Sequence, residues 1–594
     1  MFRKLMSILP LLLPASVIFE AGVNYYVKLI QTEEKRAKTY QLPDDATEYR
    51  ATVNTYTEFG NYDHIIVGAG SSGAVIAARL CENSTKRILL IEAGGNETDL
   101  TDIPAMGTLA QTLEYNWNYQ TTPQNRACLL NDNRRCVYPA GRGLGGSTII
   151  NSLIYSRGSA ADYNVWGLEN PGWSFGDLLP FFKTVENYKI PADSCYHGYD
   201  GPVNVDYPRP LLNAKSSAFV FANQELGIEV GDYNGANPLR VGVVQSNIIE
   251  GQRASTGRAY IQPSLKRCPN LEVLTRSYAT KVLMNPTTKR ASGVFFARDK
   301  KFFVAKATNE IVLSAGVYRS PQLLMLSGIG PSDQLTELGI PVLRDLPVGQ
   351  FFKDHLAYSG LAFYTKRGSE PKKLEQNIRD YLNSKGQLTT TGALALAFVQ
   401  NNRSEPVRRP DIEIALFEFS QDYGFPYKVN DPSKLVSVVP VVLHPKSLGS
   451  LTLNSSDPFI YPVIDPKFLS DTDGEDRKTM LLGISYSLNL LNTVAFKGID
   501  AKLVPVHLPQ CKNYAYFSSE YWNCHINHLS GPFNHPFGTC RMGPDGVVDH
   551  KLRVHGVENL MVADASVIPV SISGHTSAPS MMIGEKAAHI IRFG

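Results

Sequence analysis

The sequence predicts an α/β protein: a Rossmann-like parallel-sheet domain followed by a second, α+β domain built on an antiparallel sheet. Three observations predict it. His64 to Gly95 reads as strand, glycine turn, helix and strand, and its apolar runs Ile65–Val67 and Ile88–Ile91 are continuous, as in strands buried on both faces. Two later runs, Glu310 to Gly316 and Leu560 to Ala563, have the same character and end in small or acidic residues, as further strands of one parallel sheet would. From about residue 358 to 530 the pattern changes to longer alternating strands, Asp411–Phe419 and Leu435–Leu443, with a helix around Met480–Leu491.

At 594 residues the chain exceeds single-core size, and 43% hydrophobic with 19% charged residues describes an ordinary globular protein. A formal net charge of +3 without a dense basic run makes nucleic acid an unexpected partner. At the amino terminus, Arg3 and Lys4 precede an apolar stretch, Leu5 to Phe19, broken by Pro10 and Pro14. This reads as a signal peptide over residues 1–22 and predicts export, with an N-terminal membrane anchor as the competing reading; the run is short for a stable membrane span. Sequons at Asn83, Asn96, Asn402 and Asn454 fit the exported reading. Cys128 with Cys136, and Cys511 with Cys524, lie in loop-like stretches where local disulfides are feasible. The alternative for the second pair, a metal site with His528, matches no common zinc spacing, so no metal is expected.

Taken in order, residues 20 to 60 show a charged patch, Glu33 to Lys38, and little periodicity, and read as a leader that wraps or precedes the first domain. In the turn that follows, Gly68 permits the tight bend, Gly70 lets backbone approach a pyrophosphate, and Gly73 lets the helix carrying Ala74, Ala77 and Ala78 lie against the sheet. Glu92, at the end of the next strand, stands where a ribose diol is expected. The glycine-rich stretch Tyr138 to Asn151 implies backbone running against a large flat or charged ligand. Asp162 to Lys189 reads as helical with aromatic anchors, Leu271–Leu274 and Tyr278–Leu283 as strands, and Ser320 to Pro331 as a short apolar helix. The chain ends on a helix from Pro579 to Ile591 with proline in its first turn and an apolar face.

Several separated motifs, GAGSSG with Glu92, GRGLGGSTIIN, SPQLLMLSGIG, HPFGTCRMG, and DASVIP followed by GHTSAPSMMIGEKAA, together resemble the glucose-methanol-choline (GMC) oxidoreductases, a flavoprotein family. The likeness runs from about Tyr62 to the carboxy terminus; the cysteine-bearing loop before NRRCVYPAGRG and the EYWNC segment look most like the insect branch, which contains glucose dehydrogenases and salicyl-alcohol-type oxidases. The resemblance implies FAD as cofactor, a discontinuous FAD-binding domain over 61–357 and 531–594, and a substrate-binding domain over 358–530. It places Ser71 and Ser72 at the pyrophosphate, Glu92 at the adenosine ribose, and Ser147, Asn151 and Ser152 on the flavin side. It also places the backbone of Ala279 at the adenine and Asp564 near the ribityl or pyrophosphate region.

By the same likeness His535 is the base that takes the hydroxyl proton as a hydride moves from the alcohol carbon to flavin N5, a role suited to neutral imidazole near pH 7. His575 holds the substrate oxygen and stabilises developing alkoxide charge. The start of the last helix would stabilise negative charge on the reduced flavin. The implied function is oxidation of a small-molecule alcohol to an aldehyde, ketone or lactone, with oxygen or a quinone as electron acceptor. A catalytically silent secreted flavoprotein and a lyase on the same fold are the alternatives. Sugar, aromatic alcohol and steroid all remain open as substrates. Asn534 and Val317 depart from the family pattern, and His197 and His444, outside the motifs, read as structural or surface residues.

Overall fold

The structure is a computed structural model that describes residues 14–53, 55–192, 195–209, 213–366, 368, 372–401, 407–418 and 431–594. Arg3, Lys4, most of the Leu5–Phe19 run, the sequon residue Asn402 and Phe419, at the end of an expected strand, lie outside these residues.

Five parallel strands form the central sheet in the order Leu271–Leu274, Ile88–Ile91, His64–Val67, Ile311–Leu313 and Leu560–Val562. His64–Val67, Ile88–Ile91, Ile311–Leu313 and Leu560–Val562 are buried at every position, as their unbroken apolar runs require. The helix Gly73–Leu80 packs against the carboxy-terminal helix Ser577–Phe593, and they approach so closely that a Cβ on Gly584 would lie 2.8 Å from the Ser72 carbonyl and 2.9 Å from Val75 Cβ. A paired guanidinium and carboxylate, Arg79 Nε to Glu585 at 2.9 Å, ties the same two helices. The strand Tyr278–Met284 belongs to a separate four-stranded sheet with Ala291–Arg298, Lys301–Ala307 and Tyr56–Tyr62.

The antiparallel sheet is ordered Lys502–Leu503, Ala362–Tyr364, Leu435–Val442, Ile412–Glu418, Ala393–Val399, Arg240–Val243 and Glu229–Val230. Its last two strands come from well before residue 358, because Arg240–Val243 pairs with Ala393–Val399. Leu356–Tyr358 and Ser530–Pro532 pair with one another on the same sheet, so the chain enters and leaves the second lobe side by side.

Residues 20 to 60 differ from expectation. Ala15–Ala37 is one helix that runs through the expected signal-peptide boundary at residue 22. Its buried positions, Ile18, Gly22, Val23, Tyr26 and Ile30, recur at helical spacing, a stripe that the charged Glu33–Lys38 segment obscures in the sequence. Three disulfides are present: the expected Cys128–Cys136 and Cys511–Cys524, and Cys81–Cys268, whose partners are 187 positions apart and gave no local signal. Cys511, Cys524 and His528 do converge, with ligand atoms within 4.8 Å of one another. The two sulfurs are bonded to each other, however, and His528 Nδ1 lies 2.8 Å from the Cys524 carbonyl.

Candidate active site

A cavity of about 920 Å³ runs from the glycine turn of the parallel sheet to the face of the antiparallel sheet. At one end it is lined by Gly68, Gly70, Ser71 and Ser72. The three glycines of the turn are required for different reasons. Gly68 has φ +100°, and a Cβ there would lie 2.4 Å from the Ser314 carbonyl; a Cβ on Gly73 would lie 1.9 Å from the Gly68 carbonyl. Beside Gly70 a Cβ would meet nothing closer than Gly146 Cα at 3.8 Å, so that space is left for a ligand and not for protein. The Ser72 hydroxyl is buried without a protein partner, an orphaned donor beside the backbone amides of a helix start.

Two buried carboxylates flank this end. Glu92 accepts from the Ala69 amide at 2.9 Å and the Gly94 amide at 2.8 Å, and burial raises its pKa against the pull of those amides. Asp564 accepts from Ser320 Oγ at 2.6 Å, the Ser566 amide at 2.8 Å and the Gly316 amide at 2.9 Å, and burial likewise raises its pKa. Ser147, Asn151, Ser152 and Ala279 line the middle of the cavity. Asn151 is held by Arg253, whose Nη1 donates to its Oδ1 at 2.8 Å and its carbonyl at 2.7 Å. With the Leu153 amide also donating to that Oδ1 at 3.1 Å, the side-chain oxygen of Asn151 is engaged and its NH2 is the end left for a ligand.

At the other end two imidazoles meet. The strand Ser530–Pro532 carries the chain to Asn534, which adopts φ 61°, and then to His535, whose amide donates to Asp354 Oδ1 at 2.7 Å. Asparagine tolerates this left-handed backbone better than most side chains do. His575 lies just before Thr576, the N-cap of the last helix, and its Nε2 lies 3.0 and 3.2 Å from the two oxygens of the fully buried Glu413. The rings of His535 and His575 stand 4.3 Å apart, with Phe533 at 5.0 and 5.5 Å from them.

Burial first, then the neighbouring His575 and His355, holds His535 well below the usual histidine range, so it is neutral at pH 7. His355, completely buried and pushed down to about 3 mainly by burial, places its Nδ1 3.1 Å from His535 Nδ1. A hydrogen bond between two Nδ1 atoms requires one to carry the hydrogen and the other to be bare. With that hydrogen on His535, its Nε2 is a free proton acceptor. His575, donating from Nε2 to Glu413, has the opposite arrangement: a positive charge arising on its ring is balanced by the carboxylate.

Comparison with known proteins settles the family. The GMC oxidoreductase family models match residues 62–357 with their amino-terminal part and 445–584 with their carboxy-terminal part. The chain is a GMC oxidoreductase. It is 35% identical over 552 residues to "Glucose dehydrogenase [FAD, quinone]" of Drosophila melanogaster, covering 89% of this chain and 87% of that one. It is 36% identical over 556 residues to "Alcohol dehydrogenase [acceptor]" of Pseudomonas putida, covering 89% and 95%. Among solved structures, pyridoxine 4-oxidase from Mesorbium loti superposes with a TM-score of 0.79 at 27% identity, over 89% of this chain and 99% of that one.

The donor set of this GMC oxidoreductase fits the dinucleotide that the motifs imply. The open space at Gly70, the orphaned Ser72 hydroxyl and the orphaned Ser577 hydroxyl at the start of the last helix all border the cavity. Of the residues the sequence pointed to, Gly68, Gly70, Ser71, Ser72, Glu92, Ser147, Asn151, Ser152, Ala279, Asp564, His535 and His575 line this one cavity, whereas Gly73 sits behind the turn. The Ala279 carbonyl already accepts from Arg319 Nη2 at 2.8 Å. Val317 lines the cavity, and its carbonyl accepts from Thr539 Oγ1 at 2.7 Å. His197 is a buried structural residue between Glu186 and Asp232, and His444 braces Ser573 Oγ at 2.9 Å.

Sequence reasoning missed Glu413, Asp354 and His355. A glutamate inside the otherwise apolar run Ile412–Phe417 is itself a signal, because a charge in a strand buried on both faces requires a partner. Asp354 and His355 lie in a short irregular segment with no periodicity to mark them.

Proposed function

We propose that this protein oxidises an alcohol, with His535 taking the hydroxyl proton and His575 holding the substrate oxygen. It is an FAD-dependent oxidoreductase acting on CH–OH groups. FAD, when bound, supplies the two-electron acceptor for the hydride. The observation that carries the reading is the pair of imidazoles 4.3 Å apart on the wall of the nucleotide cavity, one neutral and backed by a histidine, the other backed by a carboxylate. Such a pair divides the work: a bare Nε2 accepts the proton, and a ring held in place by Glu413 steadies the oxygen as it becomes negative. Ser71, Ser72, Glu92 and Asp564 hold the nucleotide, while Asn151 presents its NH2 from the flavin side.

Residues 61–357 with 531–594 hold FAD and residues 358–530 receive the substrate, with Arg240–Val243 lent to the substrate sheet. Turnover requires a small-molecule substrate and an electron acceptor, and the quinone in the name of the insect relative favours a quinone over oxygen. Export is supported by the three disulfides and by exposed sequon residues Asn83, Asn96 and Asn454. No helix of the described residues is long and apolar enough to cross a membrane.

The test is anaerobic mixing of the flavin-loaded protein with a panel of alcohols. Loss of the oxidised flavin absorbance is expected with at least one of them, followed by faster return of colour with a quinone than with air. A folded, flavin-loaded protein that no alcohol bleaches overturns the reading.

A further inference from the structure

We infer that the substrate is an alcohol carried on an apolar body, aryl or alkyl, and not a sugar. The inference rests on the alcohol oxidation proposed above and concerns what surrounds the carbinol. The sheet face turned to the histidines is identified by Glu413, whose side chain reaches His575. Side chains alternate along a strand, so positions 413, 415 and 417 share that face. The register places Glu413 opposite Val441, Ala415 opposite Val439 and Phe417 opposite Ser437. On the next strand Phe398, Leu396 and Ala393 stand opposite the same three positions.

Of those nine positions only two are polar, and Glu413 is already committed to His575. Ser437 remains as the one hydroxyl on the face. Phe417, Ser437 and Val439 line the cavity together with His535 and His575. Phe417 also belongs to one continuous apolar cluster with Ile154 and Ala357, against which Val439 and Phe533 pack, so the sheet face beside the imidazoles is mostly apolar among the described residues. Other polar residues line the cavity outside these nine positions: Asn131 and Asp132 in the Cys128–Cys136 loop, and Ser359, Ser530 and Asn534 on the segments that flank the sheet.

A hexose brings several hydroxyls besides the one that reacts. Each must exchange its water hydrogen bonds for protein ones, and on these nine sheet positions Ser437 is the one side chain free to answer. An unanswered hydroxyl costs about 10- to 100-fold in affinity, and the losses compound over several hydroxyls. An aryl or alkyl body gains by the same burial. The wall therefore selects against the glucose named in the insect relatives, although the reacting groups suit any carbinol.

The experiment compares benzyl alcohol, cinnamyl alcohol and 1-octanol with D-glucose and glycerol, reading kcat/KM of anaerobic flavin reduction in the holoenzyme. The best apolar alcohol is expected to exceed D-glucose by at least about 10³-fold. Val439→Thr, which keeps the side-chain shape and adds a hydroxyl, is expected to raise KM for the apolar alcohol about 10-fold with little change in kcat. Phe417→Ala is expected to raise it further. Reduction by D-glucose as fast as by any apolar alcohol overturns the inference and leaves the alcohol-oxidoreductase reading standing. A holoenzyme that none of the five reduces, although dithionite bleaches it, overturns both. If Phe417→Ala does not fold, Val439→Thr decides, and an unchanged KM in that variant counts against the apolar wall.

Discussion

His535 and His575 share a wall but differ in what stands behind them. His535 is backed by neutral His355, which fixes its proton and leaves it uncharged; His575 is backed by the buried Glu413, which balances any positive charge on its ring. Replacing the carboxylate with an amide, Glu413→Gln, keeps the shape and a hydrogen-bond acceptor but removes that balance. Flavin reduction should then slow by about 100-fold with FAD still bound. Stopped-flow reduction within twofold of the parent would show that Glu413 only packs. The same burial sets the response to acid. His355 and His444 are pushed down to about 3 and His535 lies well below its usual value, so below pH 6.5 the unfolded chain binds protons that the folded chain refuses. Stability from these groups is present above pH 6.5 and is lost as pH falls, by up to about 1.4 kcal/mol per pH unit for each histidine. Asp354 works in the opposite direction: burial pushes it up to about 8, so its contribution is full below the unfolded carboxylate range and fades as pH rises through 8. His525, pushed down to about 4, acts with these histidines, while Glu97, pushed up to about 7, and the raised Glu92 and Asp564 act with Asp354, so the two sets oppose one another as pH falls. Urea titrations should therefore show a smaller loss of stability between pH 6.5 and 5 in His355→Asn than in the parent, and an equal loss would contradict a buried neutral ring at that position.

Among the elements, the glycine turn shows how a ligand is separated from a fold. Gly68→Ala forces a Cβ against the Ser314 carbonyl in a left-handed backbone, whereas Gly70→Ala meets no protein atom within 3.8 Å. The first variant should fail to fold, or melt well below the parent. The second should fold with the apoprotein's melting temperature unchanged and lose FAD affinity by 10-fold or more, read by flavin fluorescence on titration. Equal behaviour of the two would remove the argument that the space beside Gly70 belongs to a phosphate. This turn was legible in the sequence because its demands are local: a strand, a bend and a helix within a few residues. The parallel strands were legible for a similar reason, each being a short run buried on both faces. Glu413, Asp354, His355 and Cys81–Cys268 were not, because each acts through a partner far away in the chain; only Glu413 left a mark, as a charge inside a strand pattern. The antiparallel sheet was visible as alternation, but not its recruitment of Arg240–Val243, which only tertiary pairing reveals.

At the scale of the whole molecule, the two lobes must keep the histidines and the sheet face in register with the nucleotide cavity, and the helix Ala15–Ala37 spans both. Tyr25 donates to Asp99 at 2.7 Å in the nucleotide lobe, while Glu20 pairs with Arg379 at 2.6 Å on the substrate-lobe helix Leu374–Leu382. Between them Val23, Tyr26 and Ile30 are buried in one cluster with Ile103 from the first lobe and Ile378 and Tyr381 from the second. Their burial stabilises by on the order of 5 kcal/mol in all, while the exposed Glu20–Arg379 pair adds little. Three forms of the protein separate these contributions. A chain beginning at residue 14, which keeps every contact of this helix named above, is the reference. One beginning at residue 23, as after cleavage at the expected signal boundary, loses Ile18, Gly22 and the Glu20 pair but keeps the buried three, and should melt slightly lower. One beginning at residue 38 loses the whole bridge and should melt several degrees lower, with looser binding of FAD because the lobes that enclose it are no longer joined on that side. Calorimetry on the three holoproteins checks the order, and a chain from residue 38 that melts with the parent would mean that the helix lies on the lobes without holding them.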